Sequence, residues 1–286
     1  MIFFVTLWGR KSPYGIATLF PQAALENKPY PVRGAIVAAA NPATSFPEAN
    51  KFIEAFKSMD FMMAIDLFMT ETAELADLFL PACTFMEKDA LAYVYGVVHG
   101  EPFAMYHHKV IEPVGESKPD RWIWTELARR LGFGEFFPWN TDEEVMDNLL
   151  APSGIGEELK ANPMGKYFDK QDYYAYEKKK ILTPSGKIEI YSKTLEDAGY
   201  DPLPKYLEPA QSPVSTPELA KEYPLILISG ARRKAFTHTQ MRHVPQLRSL
   251  EPEPFAEMHQ ATADRYGVRT GSAFVYPPAM AVLPFG

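Results

Sequence analysis

The sequence predicts an α/β fold built on a parallel sheet flanked by helices. Three observations carry this prediction. Residues 34–40, 61–65 and 78–80 are short, uninterrupted apolar runs; each is followed closely by a polar residue or a proline; and the stretch between the first two has helical periodicity. Strands covered on both faces read as continuous apolar runs, and strand–helix–strand order is that of a parallel sheet.

Taken in order, residues 34–40 (Gly-Ala-Ile-Val-Ala-Ala-Ala) read as a buried strand stopped by the Asn41-Pro42 turn. Pro47 then opens a helix with apolar positions Ala49, Phe52, Ile53, Phe56 and Met59, since the fixed φ of proline suits the first helical residue. Residues 61–65 form a second buried strand, closed by Asp66. Thr70 to Ala76 reads as a short helix with Thr70 as N-cap, and Leu78-Phe79-Leu80-Pro81 as a third strand with its stop. Residues 91–111, rich in Tyr, Val and Phe with Gly96 and Gly100 at turns, form an irregular β excursion. Lys118-Pro119-Asp120 introduces an amphipathic helix that runs to Leu131 and stops at Gly132. Residues 140–180 read as helices and surface loops, and residues 183–191 as a turn followed by a strand.

Prolines 202, 204, 209, 213, 217 and 224 mark a linker at 206–223, which separates a domain at 1–205 from one at 224–286. Beyond it, residues 225–230 read as a buried strand before the basic turn Ala231-Arg232-Arg233-Lys234, and residues 255–267 as a helix ending at Gly267.

Composition bounds the chemistry. A chain of 286 residues with 47% hydrophobic content supports two domains with cores of their own. A net charge of −7 argues against nucleic acid as the main partner. No apolar stretch reaches the roughly 18 residues of a membrane span, and the opening run from Met1 to Trp8 reads as core rather than as a leader peptide. Cys83 is the only cysteine, which excludes an internal disulfide and a self-contained iron–sulfur cluster; its apolar setting reads as an inert buried thiol. The six histidines lack zinc-site spacing, and the adjacent pair His107-His108 would point to opposite faces of a strand. No catalytic residue and no metal ligand is assigned to this chain.

The candidate binding residues lie at strand ends. Ligands of open parallel sheets bind beyond the carboxyl ends of the strands, where Asn41 and Asp66 would share one edge if their strands are parallel neighbours. A carboxylate there can accept the paired N–H donors of a guanine edge, or can simply cap the helix near Thr70. Asn41 and Ser45, in Asn41-Pro42-Ala43-Thr44-Ser45, can bond a ribose or phosphate, or can form an Asx-turn followed by a cap on the Pro47 helix. Thr70, Thr72 and Asp77 suit caps and surface positions. The segment from Arg232 to Gln240, with His238 and Thr239, suits an anionic ligand or a solvated basic loop. The glycine-rich phosphate loops of Rossmann and P-loop sites are absent from the sequence.

Together these segments resemble the carboxyl-terminal half of the molybdopterin oxidoreductases, the DMSO-reductase-like enzymes. The resemblance rests on Asn41-Pro42 with Ser45, on Ile65-Asp66-Leu67-Phe68-Met69-Thr70-Glu71-Thr72-Ala73, and on Ala76-Asp77-Leu78-Phe79-Leu80-Pro81-Ala82. It extends through Pro113 to Asp120 with Trp122, Thr183 to Glu189, Pro224 to Leu227, Arg232, His238-Thr239, Arg242, Pro254-Phe255, Glu257, His259 and Tyr266-Gly267-Val268, covering about residues 28–272.

The resemblance implies a third-domain-like α/β part followed by the start of a double-psi-type β-barrel. It also implies bis(molybdopterin guanine dinucleotide) carrying molybdenum or tungsten. Asn41, Ser45 and Asp66 would contact one guanosine, with Thr70 and Asp77 nearby; Arg232, His238, Thr239 and Gln240 would contact the pterins. Any iron–sulfur cluster and the metal-ligating residue belong upstream. The implied partners are that N-terminal catalytic portion, or a subunit supplying it, and an iron–sulfur electron-transfer subunit. Relatives are periplasmic or cytoplasmic, and no export signal is visible here.

The pattern departs from the family after Gly271 and at the first residues, as expected of a truncated or frame-disrupted product or of one piece of a split enzyme. Three readings are therefore open: part of an oxidoreductase of the thiosulfate, polysulfide or related respiratory type, with formate oxidation also open; a non-catalytic cofactor-binding or assembly module; and an unrelated α/β nucleotide binder. The last would be supported by Asn41 and Asp66 at opposite ends of the sheet.

Overall fold

The computed structural model describes residues 17–92, 101–170, 173–178, 181, 183–228, 234–236, 241, 244–253 and 255–272. The chain divides into two compact units, Met1–Leu203 and Pro204–Gly286.

In the first unit, helix α1 (Phe20–Glu26) precedes strand β1 (Gly34–Ala38), the short helix α2 (Pro42–Ser45), helix α3 (Ala49–Lys57) and strands β2 (Phe61–Asp66) and β3 (Leu78–Pro81). The strands form a parallel sheet in the order β1-β2-β3, with Ala38 opposite Ile65 and Asp66 opposite Pro81. The predicted parallel sheet is therefore present.

Its burial is less even than the apolar runs imply. Central β2 is buried from Met62 to Ile65, whereas Ile36 on β1 is 48% exposed and β1 alternates exposed with half-buried positions. Only the strand with neighbours on both sides and cover on both faces meets the condition that a continuous apolar run describes. On one face Phe52, Phe56 and Met62 form a core with Phe20, Phe46, Ala35 and Val37 around it; on the other Met63 and Ile65 meet Ile123.

Local chemistry moves several boundaries. Proline sits at the first helical position of α2, where its missing N–H costs nothing, so Pro42 starts a helix and Asn41-Pro42 is not merely a turn. Pro47 lies ahead of α3, whose N-cap is Glu48 in the left-handed region. The stretch after Asp66 closes in one 3-10 turn, Ala73–Leu75, rather than a helix starting at Thr70.

Beyond β3, β4 (Ala90–Ala92) and β5 (Phe103–His107) pair antiparallel, and β6 (Lys166–Tyr167) completes a second sheet. Helix α4 (Asp120–Arg130) ends before Gly132 as predicted, with Gly132 at φ 88°. Helices α5 (Asp142–Leu150) and α6 (Gly156–Ala161) bring Leu150 and Leu159 against Ala104 and Tyr106.

Two predicted strands are not seen among the described residues. Residues 188–191 follow the Gly186 turn without a strand, with Ile188 74% and Ile190 79% exposed. In the second unit, residues 225–228 are exposed and adopt no strand, so the barrel start is not seen among the described residues. An apolar run becomes a strand only where a neighbour takes up its backbone N–H and C=O groups, and no neighbouring strand among the described residues does so here. The predicted C-terminal helix is present as Gln260–Tyr266, ending at Gly267 in the left-handed conformation.

Candidate functional site

The loops beyond β1 and β2 leave the sheet at the same edge, because the strands are parallel and Ala38 pairs with Ile65. The Ala39 N–H still donates to the Ile65 carbonyl at 2.9 Å, which carries the pairing one residue past β1. Asn41 and Asp66 therefore lie at one end of the sheet, and the opposite-end placement that would support an unrelated nucleotide binder is not observed.

Asp66 occupies the last position of β2. Its Oδ1 accepts from the Leu67 N–H at 2.6 Å and from the Phe68 N–H at 3.4 Å, and its backbone carbonyl accepts from the Ala82 N–H at 3.0 Å. Oδ2 makes no hydrogen bond among the described residues. A carboxylate offers about four acceptor sites, so acceptor capacity remains at this strand end. Leu67, Phe68 and Met69 follow directly, each about half exposed.

Asn41 is committed elsewhere. Its Oδ1 accepts from the Thr72 N–H at 3.2 Å and the Thr72 hydroxyl at 2.6 Å, while its Nδ2 donates to Glu71 Oε2 at 2.8 Å. The Thr72 hydroxyl in turn accepts from the Ala43 N–H at 3.0 Å. The Asn41 amide, and after it Glu71's own backbone N–H, hold the Glu71 carboxyl below the usual carboxylate range. Ser45 does not cap the following helix. Its hydroxyl donates back to the Asn41 carbonyl at 2.7 Å.

Thr70 is not the N-cap of the 3-10 turn, a position that Thr72 takes, but its Oγ1 accepts from the Ala73 N–H at 3.2 Å. Asp77 does not join this edge. Its N–H donates to the Met62 carbonyl at 2.9 Å and its Oδ2 accepts from the Met62 N–H at 2.7 Å, so it closes the amino end of β2. Met62 and Asp66 are separated along the strand by roughly 13 Å at about 3.3 Å per residue. Proximity to Asp66 in sequence order therefore did not mean proximity in space.

Arg232, His238, Thr239 and Gln240 lie outside the described residues, as does the Met1 to Trp8 run. Thr72 and Glu71 are the residues that sequence reasoning undervalued. The available signal was Thr70-Glu71-Thr72 just past a strand end, which places short hydrogen-bonding side chains where an edge loop needs them.

Elsewhere, a cleft lined by Lys88, Asp89, Pro119, Asp120, Arg121 and Asp142 has its cations paired with its own carboxylates, Lys88 to Asp120 and Arg121 to Asp142. It leaves no spare cation for an anionic ligand. Cys83 is buried, as predicted, with Sγ 3.7 Å from the Ser117 hydroxyl, and burial pushes its thiol pKa up.

The family model for molybdopterin oxidoreductase matches residues 17–130. Acetylene hydratase of Syntrophotalea acetylenica is 37% identical over 88% of this chain and 34% of its own length. The thiosulfate reductase molybdopterin-containing subunit PhsA of Salmonella typhimurium is 29% identical over 90% of this chain and 36% of its own length. The solved structure of acetylene hydratase from Pelobacter acetylenicus superposes with a TM-score of 0.77 at 36% identity, covering 89% of this chain and 34% of that one. The chain thus spans about a third of the length of the curated relatives it matches.

Proposed function

Because this chain belongs to the molybdopterin oxidoreductase family, we propose that the carboxyl edge of its parallel sheet holds the guanosine end of a pterin–guanine dinucleotide within a molybdenum or tungsten oxidoreductase. The observation that supports this most is Asp66, a carboxylate at the end of the central strand with Oδ2 unengaged among the described residues. Guanine presents a ring N–H and an amino N–H on one edge, and an ionised carboxylate accepts both; adenine offers no such pair. Asp66 is the base contact in this reading. Thr70 shapes the loop. Asn41 and Ser45 act through the loop structure rather than by touching the sugar, and Asp77 serves the opposite end of the strand.

The residues present fit the guanosine end of the cofactor. Arg232, His238, Thr239 and Gln240 are the proposed contacts of its pterin end. When bound, the cofactor supplies electron and atom transfer, while the protein supplies binding and orientation. No residue of this chain is assigned a step in the reaction, so catalysis in this proposal needs an N-terminal portion or subunit carrying the metal-ligating residue, with an iron–sulfur subunit as a candidate electron partner. A thiosulfate- or polysulfide-type substrate is the finer reading, supported by PhsA. The similarity to acetylene hydratase shows that this portion is shared by proteins of different named activities.

The test is direct. The purified chain should bind GDP in preference to ADP. Preparations made with the partner portion should release guanine nucleotide together with molybdenum or tungsten on denaturation. Equal affinity for GDP and ADP, with neither metal nor nucleotide released, overturns the proposal.

A further inference from the structure

Four hydrogen bonds tie the loop after β1 to the loop after β2. They run from the Thr72 N–H and the Thr72 hydroxyl to Asn41 Oδ1, from Asn41 Nδ2 to Glu71, and from the Ala43 N–H to the Thr72 hydroxyl. Thr72 is fully buried, and its hydroxyl both donates and accepts. At the other end of the same loop, Asp66 Oδ1 holds the Leu67 and Phe68 N–H groups. The five residues between Asp66 and Thr72 are thus fixed at both ends, and the carboxylate at issue is one of the two anchors.

We infer that Thr72 and Asn41 are positioning residues for base selection. They hold the 66–72 loop so that Asp66 presents its free acceptor capacity in one orientation, and they do so without contacting the nucleotide. This inference rests on the guanosine-binding reading above. It also reassigns Asn41, because a sugar contact and a loop tie make different predictions.

The probes are GDP and IDP, which differ only in the exocyclic amino group of the base. A charge-assisted hydrogen bond from that group should make wild type prefer GDP by about tenfold or more. Thr72→Val keeps the shape and removes the hydroxyl, and Thr72→Ser restores it. Asn41→Ala leaves the Thr72 hydroxyl and its Ala43 bond in place, which covers the case in which Thr72→Val fails to fold.

The expected result is that Thr72→Val and Asn41→Ala bring the GDP-to-IDP preference to within about threefold of unity, while Thr72→Ser keeps it. A purely structural role lowers the folded fraction and leaves the ratio unchanged, and a sugar contact by Asn41 weakens both nucleotides equally. Either outcome in folded protein overturns the inference while leaving the guanosine reading intact. A wild-type chain with no preference for GDP over IDP overturns both.

Discussion

Replacing Asp66 by asparagine separates base recognition from loop structure. The asparagine side-chain oxygen can still accept from the Leu67 N–H, which Asp66 Oδ1 does at 2.6 Å, so the turn after β2 is retained. The change falls on the other atom, where an amide donor replaces an acceptor and faces the two N–H donors of guanine. A hydrogen bond to a charged group contributes about 1.5–3 kcal/mol, so two of them set an upper range of about 3–6 kcal/mol. Asp66 is only half-buried and water competes there, so the lower end applies. A loss of about 3 kcal/mol is roughly 150-fold in the Kd for GDP. Titration calorimetry with GDP reads this, alongside a melting curve that establishes folding. Xanthosine diphosphate carries a carbonyl in place of the amino group, which the new amide can serve, so Asp66→Asn should prefer it to GDP. If Asp66→Asn melts like wild type and binds GDP within about twofold of it, the carboxylate does not recognise the base and the reasoning fails.

Other consequences are open to measurement. Phe52 is 3% exposed and its ring lies 5.2 Å from Phe46 and 6.0 Å from Phe20, so Phe52→Ala should cost about 3–5 kcal/mol in urea unfolding; a loss under about 1 kcal/mol would show that this cluster is not a core. Ala39 sits at φ 51°, a conformation that costs an L-residue about 1–2 kcal/mol, so Ala39→Gly should leave the melting temperature unchanged or raise it despite the entropy of glycine, and a clear drop would count against strain there. The Thr84 and Val114 N–H groups, with the Thr84 hydroxyl, hold the Glu87 carboxyl below the usual carboxylate range. Its contribution to stability is therefore complete above the unfolded value of about 4.3 and is lost as pH falls through the lower folded value. Glu87→Gln should accordingly flatten the fall in stability on acidification below that pH, and an unchanged acid profile would remove Glu87 from the account.

The parallel sheet was legible because β2 is buried along Met62, Met63, Ala64 and Ile65, and such a strand leaves a continuous apolar run. The same rule misread β1, since a run rich in alanine looks buried whether or not anything covers Ile36. Helix α2 went unseen because four residues carry no period, and only Pro42 marked it. At the site, the identity and edge of Asp66 followed from sequence once the strands were taken as parallel. The opposite placement of Asp77 did not, because it depends on which end of β2 the returning chain meets. Nor did the bonds from Asn41 to Glu71 and Thr72, which join residues about thirty positions apart that local pattern cannot pair.

The tie between the two loops also bears on how the chain can vary. Position 72 needs a hydroxyl on Cβ that gives one hydrogen and takes another inside a space closed to water, and serine is the one other standard residue with that hydroxyl. Asparagine at 41 must accept twice and donate once, which aspartate cannot do beside Glu71 without setting two anions together. Drift at either position is therefore coupled to the other. Among homologous sequences, departures from threonine or serine at 72 should coincide with a change at 41, so that the two columns of an alignment vary as a pair.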